Sequence, residues 1–183
     1  MSVKVGISGF GRISRVILRI LLQRETDIDV VAINYRKADL ARMKYQLEYD
    51  SELGRLYDQV DIDGNCLVVG GKKIPVLTED DPEKIDWASV GAEYIIEATG
   101  KYLNLEGASK HLAGGAKKVI ISAPAKGDGI PTFVYGVNHE TYDPSMTVIS
   151  NASCTTNCLA PIAKVLMDNF GVEKALMTTV HAS

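Results

Sequence analysis

The chain has 183 residues, of which 46% are hydrophobic and 23% are charged, as expected of a soluble globular protein with one sizeable core. Its formal net charge is −3 without a long run of one sign, so electrostatics do not favour nucleic-acid binding. No apolar run is long enough to span a membrane and no signal peptide is visible, so we expect a cytoplasmic protein.

The cysteine content agrees with a reducing compartment. The three cysteines, an odd number at uneven spacing, do not form the pattern of a disulfide framework. Cys154 and Cys158 are close in sequence, but no second cysteine pair or histidine pair accompanies them to complete a tetrahedral metal site. We therefore expect no metal.

A turn with two glycines joins the first predicted strand to the first predicted helix. Residues 3–8 read as a buried strand, and residues 13–21 carry apolar side chains at helical spacing. Gly9 permits a tight turn, and Gly11 lets a pyrophosphate approach the backbone at the helix N-terminus. An ordinary turn is the alternative, but a second strand at 28–34 completes the spacing of a βαβ unit and favours a dinucleotide site.

The residues after the second strand bear on which dinucleotide is bound. NAD-binding proteins normally carry an acidic residue there, which holds the ribose 2′-hydroxyl, whereas this chain has Tyr35, Arg36 and Lys37. Loss of the carboxylate removes repulsion toward a 2′-phosphate, and the basic side chains would attract one. Solvated turn charges are the other interpretation, so both NAD and NADP stay open.

Strands and helices alternate along the rest of the chain, which predicts an α/β fold of Rossmann type with a doubly wound, mostly parallel sheet. An antiparallel excursion is expected between residues 57 and 76. Ligands of such sheets bind at the carboxyl ends of the strands. The remaining predicted helices are 38–49, 80–85 and 105–113, and the remaining strands are 93–98, 118–122, 133–136 and 147–149.

A cysteine stands where the last of these strands gives way to a helix. Ser153 is a good N-cap residue, so Cys154 is expected in the first helical turn, where free backbone N–H groups favour a thiolate nucleophile. A buried structural thiol is the common alternative for an isolated cysteine, and a redox-sensitive thiol is a third interpretation.

The final residues, 174–183, are predicted to form a strand that carries His181 near its end. A neutral imidazole there would accept a proton from Cys154 or pair with its thiolate. A structural or solvent-facing histidine is the alternative. His111 and His139 have no recognisable partners and are interpreted as structural.

Seven motifs in one order make the whole chain resemble phosphorylating glyceraldehyde-3-phosphate dehydrogenases. The block at 150–161 is close to diagnostic for that family and its erythrose-4-phosphate relatives. The other motifs are Gly-Phe-Gly-Arg-Ile at 9–13, Tyr-Asp-Ser at 49–51, Glu-Ala-Thr-Gly at 97–100, Ser-Ala-Pro at 122–124, Tyr-Gly-Val-Asn at 135–138 and Thr-Thr-Val-His-Ala at 178–182.

The resemblance implies a role for each matching residue. Cys154 would attack an aldehyde to form a thiohemiacetal, His181 would be the base, and inorganic phosphate would cleave the resulting thioester. Ser153 and Thr155 match positions that contact the phosphorylated aldehyde or the attacking phosphate. The residues matching the NAD(P) site are Gly9, Phe10, Gly11, Arg12, Ile13, Thr99, Gly100 and Ser122, to which the reasoning above adds Tyr35 and Arg36.

The chain departs from the family pattern at Ser8, Ser14, Tyr35 and Asp80, and it matches only the first half of such an enzyme. We expect a cofactor-binding domain at 1–153 and the nucleophile helix with the start of a catalytic domain at 154–183. Little turnover is expected of this part alone, together with self-association or pairing with the missing catalytic half. A non-catalytic dinucleotide-binding or interaction module is the alternative.

Overall fold

The computed structural model describes residues 2–57 and 59–181, which build a sheet of eight strands flanked by helices. The strands are β1 (Val3–Ser8), β2 (Ile28–Asn34), β3 (Tyr49–Asp50), β4 (Gly54–Arg55), β5 (Val60–Asp63), β6 (Cys66–Val69), β7 (Lys72–Leu77), β8 (Tyr94–Glu97), β9 (Lys118–Ile121) and β10 (Val148–Ser150). The helices are α1 (Arg12–Gln23), α2 (Leu40–Glu48), α3 (Leu105–Ala113) and α4 (Cys154–Phe170), with short 3-10 turns at Pro82–Lys84 and His139–Thr141.

The strand order confirms the predicted Rossmann-type sheet. The order is β10-β9-β8-β1-β2-β7-β6-β5, and every pair from β10 to β7 is parallel. The pairs β7-β6 and β6-β5 are antiparallel and form the predicted excursion. The strands β3 and β4, which the sequence analysis did not predict, form a separate two-stranded ribbon.

The strand β1 lies inside the sheet, between β2 and β8, and this position determines where a site can form. In the registers of both pairs, Ser8 stands beside Asn34 of β2 and beside Glu97 of β8. All three residues are the last of their strands, so the glycine turn begins at an edge shared by three carboxyl ends. Such a switch point is where open α/β sheets bind ligands.

Helix ends are fixed by side chains that local sequence supplies. Asp39 accepts a hydrogen bond from the backbone N–H of Arg42 at the start of α2, and Asn104 does the same for Gly107 at the start of α3. The buried guanidinium of Arg19 instead acts over a long sequence distance. It donates to the carbonyls of Leu47 and Glu48, and it thereby ties α1 to the end of α2.

The predicted strand at 133–136 is wrong. Thr132 forms only an isolated parallel bridge to Ser150, after which the chain turns, with the N–H of Val137 donating to the carbonyl of Val134. The turn is stabilised because the Asn138 side chain accepts from the N–H of Val134 at 2.8 Å. The β-rich composition of this segment is therefore overruled by turn-forming side chains further along it.

The predicted strand at 174–183 is also wrong over the residues that the structure describes. Residues 174–181 have no regular secondary structure and no paired strand, and they are exposed. A strand exists only through its ladder hydrogen bonds, and no described segment lies alongside to supply them. The last two residues of that prediction, 182 and 183, lie outside the described residues. Every helix in the described ranges is too short or too polar to cross a bilayer.

Candidate dinucleotide and thiol site

A cavity of about 300 Å³ lies at the carboxyl ends of β1, β2 and β8. Six of the predicted cofactor residues line it: Gly9, Phe10, Gly11, Tyr35, Arg36 and Thr99. Sequence reasoning missed further lining residues, notably Ser8, Arg15, Asn34, Asp80, Lys101 and Tyr102. Ser8 and Asn34 had a usable signal, because both are polar residues that end buried strands.

The glycine turn has one crowded and one open position. Gly9 has φ +102°, and a Cβ there would lie 2.9 Å from the backbone carbon and oxygen of Ala98. Only glycine fits, because the turn packs directly onto the segment that follows β8. A Cβ on Gly11 would meet no atom within 4 Å. The chain itself therefore leaves room beside Gly11 that a ligand can occupy.

The start of α1 faces this room with unpaired donors. Gly11 is the N-cap residue and provides no side-chain cap, so the first backbone N–H groups of the helix keep their capacity to bind an anion. Arg15 Nη1 donates to the carbonyl of Phe10 at 3.1 Å, whereas its Nε has no partner among the described residues. Burial lowers the pKa of Arg15, but a guanidinium remains charged at neutral pH.

The mouth of the cavity carries the residues that replace the usual acidic ribose ligand. Tyr35 is held by its own N–H, which donates to the carbonyl of Leu77 at 2.8 Å. Arg36 forms an ion pair with Asp80 at 3.1 Å, and both side chains are largely solvated. The carboxylate of Asp80 thus partly compensates the charge of Arg36. The sequence analysis did not predict this ion pair.

Arg12 lies at the start of α1 but outside the cavity, where it binds Asp50. Its Nη1 lies 2.9 Å from Asp50 Oδ2, and the N–H groups of Glu52 and Leu53 both donate to Asp50 Oδ1 at 2.9 Å. These two backbone donors, followed by Arg12, lower the pKa of Asp50 to about 2. The carboxylate therefore anchors the β3–β4 ribbon to the start of α1.

Three other predicted cofactor residues do not line the cavity either. Ile13 is 52% exposed on the surface of α1. Gly100 follows Thr99 in a turn with φ +73°. The N–H of Ser122 donates to the carbonyl of Glu97 at 3.0 Å, which joins the ends of β8 and β9.

The predicted nucleophile begins α4, as expected. Cys154 is exposed, and the Ser153 side chain caps the helix by accepting from the N–H of Thr156 at 3.0 Å. The turn before it contains Ala152 at φ +60°, a conformation that is costly for a residue with a Cβ. The hydroxyl of Ser150 holds this turn, accepting from the N–H of Ala152 and donating to the carbonyl of Ala123.

His181 lies near the start of α4, although not on a strand. Its Nε2 is 3.3 Å from Thr155 Oγ1 and 3.0 Å from Thr179 Oγ1. The structure therefore brings the predicted base to the residue next to Cys154. Among the described residues, no group of three or more His, Cys, Asp or Glu side chains is arranged to hold a metal ion.

The two remaining histidines have partners that the sequence did not reveal. His139 Nδ1 accepts from the N–H of Gly136 at 2.9 Å, and its ring packs at a tilt against the ring of Tyr135. His111 is fully buried and contacts both Trp87 and Glu97. Its partners come from two other segments of the chain, and no local sequence pattern connects them.

Comparisons with known proteins cover both halves of this site. A family model described as "Glyceraldehyde 3-phosphate dehydrogenase, NAD binding domain" matches residues 3–105, and one described as the C-terminal domain of that enzyme matches residues 153–183. Two glyceraldehyde-3-phosphate dehydrogenases, from Chlamydia trachomatis serovar L2 and Glossina morsitans morsitans, are 52% and 55% identical to this chain, respectively. Each alignment covers 98% of this chain and 53% of the relative.

A chloroplastic glyceraldehyde-3-phosphate dehydrogenase of Arabidopsis thaliana is 52% identical over 181 residues, which are 98% of this chain and 42% of that protein. The chain thus spans about half the length of the curated relatives it matches. The resemblance inferred from seven short motifs extends over almost all of its residues.

Proposed function

Because this chain belongs to the glyceraldehyde-3-phosphate dehydrogenase family, we propose that it forms the cofactor-binding and nucleophile-bearing half of a phosphorylating member of that family. The observation that carries the proposal is the open position beside Gly11, at a helix start whose N–H groups are uncapped. Little or no turnover is expected of this part alone, since the geometry of catalysis requires groups held to within about an angstrom.

The cavity suits a dinucleotide. The pyrophosphate would lie on the backbone N–H groups at the start of α1, and the absence of a Cβ at Gly11 lets it approach. Arg15, whose Nε is unpartnered among the described residues, adds a positive charge near this position. The bound NAD(P) would supply the acceptor for hydride from the substrate.

Tyr35 and Arg36 support acceptance of NADP as well as NAD. No carboxylate ends β2, so the repulsion that excludes a 2′-phosphate is absent at that position. The ion pair between Arg36 and Asp80 would have to open, or rearrange, for Arg36 to bind a phosphate. Because both partners are largely solvated, that change costs about 1 kcal/mol or less.

The thiol chemistry is assigned to the start of α4. Cys154 would add to the carbonyl carbon of a phosphorylated aldehyde such as glyceraldehyde 3-phosphate, with His181 taking the proton that the addition releases. Once that carbon is oxidised, the sulfur holds a thioester. Inorganic phosphate would then displace the sulfur to give an acyl phosphate and restore Cys154. Ser153 and Thr155 flank the sulfur in sequence and would contact the substrate or the attacking phosphate.

The domain boundary, partners and compartment are proposals of the same kind. A boundary between residues 153 and 154 agrees with the start of the second family match at 153. None of the 17 residues of α4 is buried, which supports pairing with the remaining catalytic half or with another copy of the chain. A cytoplasmic location is proposed from the sequence, although one relative is chloroplastic.

A titration of this chain with NAD and with NADP tests the cofactor proposal. We expect both to bind, and Gly11→Ala to weaken each about tenfold or more, since the added methyl group occupies the space of the ligand. Ile20→Ala, an exposed position further along α1, is the matched control and should leave both affinities unchanged. No binding, or equal affinity in the Gly11 variant, would refute the assignment.

The same titration decides the role of Arg36. We expect Arg36→Ala to weaken NADP several-fold more than NAD, because the variant loses a cation that only the 2′-phosphate would contact. An unchanged ratio of the two affinities would mean that Arg36 is only a solvated turn charge.

Alkylation with iodoacetamide tests the nucleophile. We expect Cys154 to be modified several-fold faster than Cys158, because only Cys154 lies in the first turn of α4, where the positive end of the helix dipole favours a thiolate. Mass spectrometry of proteolytic peptides gives the rate at each position. Cys158 is exposed on the same helix and is therefore the internal control. Equal rates at the two positions would contradict the proposal.

A further inference from the structure

We propose that Trp87, His111 and Glu97 form a buried hydrogen-bonded chain that positions the dinucleotide loop, Ala98–Lys101. This inference rests on the proposed function, since it names positioning residues for the same site. None of the three side chains lines the cavity, whereas Ala98, Thr99 and Lys101 do. Their influence on a ligand would therefore pass through the loop.

The indole determines which nitrogen of the imidazole carries the proton. Trp87 Nε1 can only donate, and it lies 3.2 Å from His111 Nδ1, so Nδ1 must be the acceptor. The proton is then on Nε2, which donates to Glu97 Oε2 at 2.9 Å. All three residues are at least 99% buried, so water does not compete for these donors and acceptors.

The hydrogen-bonded chain ends at the dinucleotide loop. Glu97 Oε1 accepts from both the N–H and the hydroxyl of Thr99, the former at 2.8 Å. Thr99 Oγ1 in turn accepts from the N–H of Lys101 at 3.1 Å. One oxygen of the carboxylate thus binds the imidazole and the other binds Thr99. Thr99 in turn holds the backbone of Lys101.

Packing fixes the other end of the hydrogen-bonded chain, at Trp87 and His111. A Cβ on Gly6 would lie 2.6 Å from the Trp87 ring, so the indole sits directly on β1. The carbonyl of Ile85 lies against Gly114 at the end of α3, the helix that carries His111. The indole and the imidazole are therefore held by β1 and α3, which leaves the loop as the part that the hydrogen bonds position.

A purely structural role would not require these residue types. Buried hydrogen-bonded polar groups are often no more stabilising than apolar side chains of the same shape, and a half-satisfied network is worse. The loop they hold also meets the crowded side of the glycine turn, where Ala98 packs on Gly9. A small displacement of Ala98 would move the turn on which a pyrophosphate would lie.

The test compares Glu97→Gln with a matched core variant, Val119→Ala, which is buried at 0% exposure in β9 and does not line the cavity. In either orientation the new amide at position 97 would place its N–H group against a donor, which is His111 Nε2–H or the N–H of Thr99. We expect the dissociation constant for NAD to rise about tenfold. In Val119→Ala we expect it to change less than twofold, although both variants lower the free energy of unfolding.

A second substitution distinguishes positioning from simple damage. Trp87→Phe removes the donor that forces the proton onto His111 Nε2, so the imidazole can shift its proton to Nδ1 and accept from the amide at position 97. We therefore expect Trp87→Phe to restore part of the NAD affinity when it is added to Glu97→Gln. If the double variant binds NAD no more tightly than Glu97→Gln alone, the proposed hydrogen-bond polarity is wrong.

Amide hydrogen exchange of the chain without NAD separates this proposal from the proposed function. We expect the N–H groups of Thr99 and Lys101 to exchange about tenfold faster in Glu97→Gln than in Val119→Ala. If the unaltered chain does not bind NAD, the function fails while the exchange data still decide the loop. If exchange and affinity are the same in both variants, the positioning role is refuted.

Discussion

The dinucleotide cavity and the thiol helix are built in different ways within one chain. The cavity lies where three buried strands end, and its turn is packed so closely that a methyl group at Gly9 would strike Ala98. The helix α4 has a well-formed cap at Ser153 but buries none of its residues. The first region is determined by tertiary packing, whereas the second is determined by local hydrogen bonds and leaves its side chains unburied.

The largest expected effect tests the packed side of this comparison. Gly9→Ala should lower the free energy of unfolding by about 3 kcal/mol or more, because it combines a positive φ with a backbone clash. Gly127→Ala separates the two causes, since Gly127 also has a positive φ but no atom near its Cβ position. Urea denaturation measures both. Equal losses would show that contact with Ala98 is not the reason.

Asp50 joins the β3–β4 ribbon to Arg12 at the start of α1, so an intermediate effect is expected there. Asp50→Asn should cost about 1 to 3 kcal/mol at neutral pH, since it removes a carboxylate that accepts from Arg12 and two backbone N–H groups. The control is Asp61→Asn, because Asp61 pairs with Lys44 at the surface and this substitution should lower the free energy of unfolding less than Asp50→Asn does.

The pH dependence of unfolding follows from the same carboxylate. In the folded chain the pKa of Asp50 is about 2, below the ordinary value near 3.9. Its stabilisation is therefore complete above about pH 4 and is lost as the pH falls toward 2. The stability of Asp50→Asn should change less than that of the parent chain over this interval. Parallel curves for the two proteins would contradict the assignment.

The smallest effect on stability, and a clear effect on association, is expected at α4. Ile162 and Val165 are 57% and 59% exposed, so replacing both with serine should change the free energy of unfolding by less than about 0.5 kcal/mol. Sedimentation should show weaker self-association, because the exposed apolar face is reduced. Leu18→Ser, in the core, is the contrasting control. Unchanged association would mean that this face does not mediate contacts between copies.

The parts of the fold that local sequence determines were predictable. The strands β1 and β2, the glycine turn and the cap at Ser153 each follow from residues within a few positions of one another. The predicted strand at 133–136 failed because Asn138, beyond its end, closes a turn. The predicted strand at 174–183 failed over the described residues because strand formation needs a neighbouring segment, which periodicity cannot reveal.

The candidate site was predictable to a similar extent and for the same reason. Gly9 and Gly11 were identified because strand, turn and helix are consecutive. Arg36 was identified as a cation, but its pairing with Asp80 joins residues 44 positions apart. His111 was interpreted as structural without partners, whereas Trp87 and Glu97 both reach it from distant segments.

The left-handed backbone of Ala152 restricts what evolution or engineering can place before the thiol helix. Side chains branched at Cβ clash with the backbone in this conformation, so valine, isoleucine or threonine would be poorly tolerated there. Glycine and asparagine adopt it readily. The sequence freedom of this position is consequently limited by backbone shape alone, before any requirement of chemistry is considered.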